Sequence, residues 1–222
     1  MALTHFRISA YILSHRVYQA IVPILILQAI LYASRAPLGS EAAVLTDSAA
    51  LIIPMLAWST RSLLDTEPDE QRIVSATTAG GRGRELAAGL LAALTVNLIF
   101  AAFALACGLI MGISAAPAPD VLAAAISLHI LAALAGLALG ALTSRAILPS
   151  PALSIMALLF GYLAMLLISI TPAFWLTVPV TAWMKAAGAG ALVSDLPVLA
   201  GASALWCAVG LAGYAWLRRT RP

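Results

Sequence analysis

The chain has 222 residues, 63% of them hydrophobic and 9% charged, with a mean hydropathy of +1.02. Soluble domains carry about 25% charged residues, so this composition belongs to the membrane class. The net charge of +3 excludes no membrane role, but it does not mark a nucleic-acid-binding domain, because the basic residues are scattered without interleaved aromatics. Cys107 and Cys207 both sit in apolar runs, which excludes a disulfide framework or a CxxC metal site.

Taken in chain order, Leu3, Phe6, Ala10, Leu13 and Val17 recur at spacings of three and four, with Arg7, Ser14 and His15 elsewhere on the wheel. This predicts an amphipathic elbow helix over residues 3–16, lying at the interface. A span needs roughly 20 apolar residues to cross a hydrocarbon core of about 30 Å. Charge-poor stretches predict six, at residues 17–34, 42–60, 86–113, 121–144, 152–171 and 195–217. Ala116-Pro117-Ala118-Pro119 ends the third span, since each proline removes a donor and disfavours helix in the residue before it. Thr171-Pro172 and Val178-Pro179 break the long run that follows Arg145, which leaves residues 172–194 as an outer re-entrant or interfacial segment. Trp175 and Trp183 in it suit headgroup level.

Every cationic side chain except Arg35 and Lys185 falls on one side of this arrangement, which predicts cytoplasmic N and C termini. The long leader before the first apolar run argues against a cleaved signal peptide. In span four, Ala132, Ala133, Ala135, Gly136, Ala138 and Gly140 permit close helix approach, expected to serve internal packing ahead of a subunit interface. Gln28, Asn97 and His129 are polar groups inside spans, and they are the candidates for a translocation path; the competing role is hydrogen bonding across helices. Asp47 stands one turn inside the outer end of span two.

The one long polar stretch is residues 61–85. Thr66 followed by Asp69 is a capping-box-like start, Pro68 suits a first turn, and Glu67, Asp69 and Glu70 complement the positive end of a helix dipole. Gly80 and Gly81 supply the stop, with Arg82 and Arg84 beyond it. A helix of about three turns over residues 67–79 is marginal in water, so Ile73, Val74 and Thr77 are expected to dock onto a partner or onto the span ends.

Catalytic and metal motifs are lacking in the sequence. Gly80-Gly81-Arg82-Gly83-Arg84-Glu85 has no lysine and hydroxyl for phosphates and magnesium, so no ATPase site is expected in this chain. There is no HExxH, and His5, His15 and His129 are separated by spans, so no metal site is expected either. Gly201-Ala202-Ser203-Ala204 has no partner histidine in a neighbouring span, which disfavours an intramembrane enzyme.

The inner stretch resembles the coupling-helix region of ABC-2-type exporter permeases. It carries Asp69-Glu70, Ile73-Val74, Ser75-Thr77, Arg82-Arg84 and then Gly89-Leu90-Leu91 before span three. Where that family often has a proline after the threonine and a lysine after the glycine, this chain has Thr78 and Leu90. The resemblance covers the whole chain as architecture and about 25 residues as motif. It implies an all-α membrane protein of six transmembrane helices with a cytoplasmic coupling helix between spans two and three. That helix would contact a separate ABC ATPase through Glu67, Asp69, Glu70, Arg72, Ile73, Val74 and Thr77. It also implies a second permease, identical or paralogous, with ATP and magnesium held by the ATPase and no cofactor in this chain. The expected location is the bacterial cytoplasmic membrane, and the apolar walls suit an amphipathic or hydrophobic cargo. The rival reading is an uptake subunit that binds substrate in the membrane, or a small secondary carrier; a carrier driven by protons or sodium calls for paired buried acids.

Overall fold

A computed structural model describes residues 2–220, without the side chains of Asp69, Glu70 and Ile73. The described residues form helices and no strands. Five helices are long and apolar enough to cross a membrane: α3 (Glu41–Leu64), α5 (Arg82–Cys107, extended by a π-helical turn over Gly108–Gly112), α6 (Pro119–Leu142), α7 (Pro151–Ile170) and α9 (Leu192–Thr220). A sixth crossing exists if α1 (Ala2–Leu13) and α2 (Tyr18–Leu31) count together, and these are bent 72° from one another. The bend falls where His15 adopts a positive φ of 59°. At 1.5 Å per residue the fourteen residues of α2 reach about 21 Å, short of the hydrocarbon thickness on their own. The chain is a multi-pass integral membrane protein.

The apolar spans have little sequence asymmetry, yet they are far from equivalent. α3 and α6 form the centre, 56% and 61% buried over their most apolar stretches, against 17% for α7 and α9. The reason is close approach. Gly136 and Gly140 stand one turn apart on α6; a Cβ at Gly136 would lie 2.6 Å from the Leu56 Cβ on α3, and one at Gly140 would fall on the Ala57 carbonyl. In lipid, where apolar side chains gain nothing by leaving the solvent, such backbone proximity is a main source of helix association. The small residues of span four therefore serve packing within the chain. Asn97 on α5 locks the third member, donating to Thr60 Oγ1 on α3 at 2.9 Å and to the Ala133 carbonyl on α6 at 3.2 Å.

At the far end, α8 (Val180–Gly188) packs on α3, α7 and α9. Ser169 of α7 caps it from a distance, its hydroxyl accepting the Thr181 and Ala182 N–H groups at 3.0 and 3.2 Å. The two tryptophans expected at headgroup level divide. Trp175 is exposed and its carbonyl accepts the Trp206 indole N–H, whereas Trp183 is fully buried, because α8 turns that ring into the bundle.

Between α3 and α5 lies α4 (Asp69–Thr78), inside the stretch outlined by the punctuation but without the expected capping box. Pro68 is the N-cap, and the Thr66 hydroxyl donates instead to the Ser62 carbonyl at 2.8 Å. The stop is a Schellman turn: Gly81 N–H bonds the Ala76 carbonyl at 2.8 Å, Gly80 N–H bonds the Thr77 carbonyl at 3.2 Å, and Gly80 takes φ 80°.

Candidate functional site

Many of the charged residues gather at the end of the bundle formed by α1, α4, the start of α5 and the end of α9. Helix α1 buries Arg7 and Tyr11, one turn apart, and leaves Phe6, Ile12 and Leu13 exposed. The apolar stripe thus faces outward, as suits lipid, and the arginine faces protein. Arg7 Nη2 donates to Glu67 Oε2 at 2.6 Å and to Glu85 Oε1 at 2.5 Å, while Nη1 donates to the Glu85 carbonyl at 3.2 Å. Glu85 opens span three and Glu67 precedes α4, so one guanidinium joins three segments. Gly89, one turn after Glu85, makes room for it: a Cβ there would overlap the Arg7 guanidinium. Glu67 also accepts the Ser75 hydroxyl of α4, and Glu85 pairs with Arg218 of α9 at 3.3 Å. Bonds between ionised partners are about twice as strong as neutral ones, and Arg7, Glu67 and Glu85 are almost wholly out of water, with Arg218 at the edge.

Asp65, just past α3, is a second node. Its carboxylate accepts the Arg145 N–H at 2.9 Å and lies 3.9 Å from both Arg61 Nε and Arg72 Nη2. Its carbonyl accepts from Arg16 at 2.9 Å, and Arg72 also donates to the Leu64 carbonyl. Burial pushes the Asp65 carboxyl above the ordinary carboxylate range, although the Arg145 N–H and the charges of Arg61, Arg72 and Arg145 pull the other way.

The outcome is a helix with two unlike sides. Arg72 and Ser75 root α4 in the bundle, and Val74 and Thr77 stand exposed. Of the residues anticipated at a partner interface, Glu67 and Arg72 are buried and bond within their own chain, Glu67 with Arg7 and Arg72 beside Asp65. Only Val74 and Thr77 are presented outward; the side chains of Asp69, Glu70 and Ile73 lie outside the described residues. The local pattern around residues 67–79 gave no hint of Arg7, Glu85 or Arg218. A buried acid at the mouth of a span was the available signal, since it requires a cation, but not which one.

The three polar residues within spans are not joined by any hydrogen bond. Asn97 is a structural bridge, His129 Nδ1 contacts the Ala125 carbonyl of its own helix at 2.8 Å, and Gln28 is buried. Ser203 likewise donates back to the Leu199 carbonyl of its own helix at 2.6 Å. Compared with protein-family models, curated proteins and solved structures, the chain matches none.

Proposed function

We propose that the chain is the membrane-spanning subunit of an ATP-driven exporter of the ABC-2 type, with both termini in the cytoplasm. The observation that carries this reading is α4: ten residues, too short to be a stable helix alone, clamped on one side by buried charges and offering Val74 and Thr77 on the other. A helix needed only to set topology requires no such clamp. Residues 67–79 act as a lever, seated in a separate ATPase that holds ATP and magnesium. Movement of the lever passes through Glu67, Arg7 and Glu85 to α1 and to the start of span three. Paired with a second permease, identical or paralogous, the spans alternate between inward-open and outward-open states and move an amphipathic or hydrophobic cargo.

The test is co-expression of the full chain with the ATPase from a neighbouring reading frame. Val74→Glu changes an exposed side chain, so the melting temperature should hold while ATPase co-purification and stimulated hydrolysis fall to background. ATP-independent transport by the wild-type chain alone in liposomes would overturn the reading in favour of a secondary carrier.

A further inference from the structure

A cleft of about 810 Å³ opens at the termini-bearing end, behind α4. Four separate elements send arginines into it: Arg72 from α4, Arg82 from the start of α5, Arg145 from the turn after α6, and Arg218 and Arg219 from the end of α9. Among the described residues the lining has one carboxylate, Glu85, already engaged by Arg7 and Arg218. Arg72 and Arg145 bond within the chain, whereas Arg82 and Arg219 have no salt bridge among the described residues. The wall therefore keeps an excess of positive charge on a concave surface, where the field is focused and anions concentrate.

Retention of cations on one side of a membrane accounts for how many arginines occupy this end, but a topological signal works from any loop position. It does not require residues more than 140 positions apart in sequence, Arg72 and Arg218, to line the same hollow. Two further features point to a phosphate. Gly81 and Gly83 face open space, which leaves the first turn of α5 uncovered toward the cleft, and a helix N-terminus favours negative charge. The cleft also has apolar lining from Leu86, Ala146 and Pro149, at the level where span three begins. A soluble phosphate has no use for that surface; the glycerol and upper chains of a lipid do. Basic pockets between spans on the cytoplasmic side are a known form of headgroup site.

We propose that this cleft binds the phosphate headgroup of an anionic phospholipid from the leaflet at the termini-bearing end. Thr77 also lines the cleft, so the site borders the outward face of α4, but the proposal needs only that the chain span a bilayer. Occupancy would neutralise the arginine wall and brace α4, α5 and α9 against one another.

The experiment places the full chain in nanodiscs of phosphatidylcholine alone or with cardiolipin, and reads the melting temperature together with the lipids retained on release into native mass spectrometry. The expected result is a higher melting temperature with cardiolipin, and cardiolipin retained over phosphatidylcholine. Arg82→Gln should weaken retention about fivefold and Arg82→Gln with Arg219→Gln about thirty-fold, at roughly 1 kcal/mol per cation near the surface. Arg84→Gln, on the same helix but outside the lining, should leave it unchanged. Equal retention of both lipids by the wild type overturns the proposal, and needs no variant to fold. So does equal stabilisation by inorganic phosphate or glycerol phosphate in detergent, which would mark a site for a soluble anion. A loss as large for Arg84→Gln as for Arg82→Gln would mark general surface charge and overturn it as well.

Discussion

Arg7→Met removes one guanidinium of similar length from between two buried carboxylates. Taking one partner from a buried ion pair costs about 3–5 kcal/mol, because the remaining charge is stranded out of water. Glu85 keeps Arg218 at 3.3 Å, so the damage falls mainly on Glu67, left with the Ser75 hydroxyl. That places the cost near the lower end, about 3 kcal/mol, or roughly a hundredfold in an opening equilibrium at 1.4 kcal/mol per factor of ten. The strain is local, since Glu67 and Ser75 belong to the α4 region while the α3–α6 centre rests on Gly136 and Gly140. Hydrogen exchange in nanodiscs should therefore show amides of Asp69–Thr78 losing about two orders of magnitude of protection, with α3 and α6 unaltered. Adding Glu67→Gln should restore much of the loss, because the stranded charge is gone. Unchanged protection of α4, or an equal loss throughout α6, would refute the idea that Arg7 holds the lever.

Two further outcomes test the centre and the second charge node. Gly140→Ala puts a methyl on the Ala57 carbonyl of α3 and should cost about 1–3 kcal/mol or more by forcing the helices apart, whereas Gly213→Ala, with nothing within 4 Å, should leave the detergent melt unchanged or slightly higher. A melt lowered equally by both would contradict the close α3–α6 contact. Asp65 is the pH probe: because burial raises its pKa, its favourable contribution is complete below the ordinary value of 3.8 and is lost as pH rises through the raised value. Asp65→Asn, which can still accept the Arg145 N–H, should therefore change stability by less than about 1 kcal/mol at neutral pH. On acidification through that window the wild type should gain on the variant; a pH-independent difference, or a loss above about 2 kcal/mol at neutral pH, would show that attraction to the arginines dominates.

The span expected over residues 17–34 is a fourteen-residue helix bent away from α1, whereas the other five of the six expected spans and a helix within residues 67–79 were legible in the chain itself. Each depends on short-range physics: runs of about 20 apolar residues satisfy the thickness of a bilayer, and Pro68, Gly80 and Gly81 act on backbone geometry within a turn. What surrounds those helices was not legible. A span apolar on every side has no stripe to say which face meets protein and which meets lipid, so the central place of α3 and α6 and the burial of Trp183 emerge only from packing. The same holds for Arg7 with Glu85, 78 positions apart. Opposite charges at one end of a bundle have many pairings open to them along a sequence, and only the folded backbone, with Gly89 leaving room for the guanidinium, brings one of them within bonding distance.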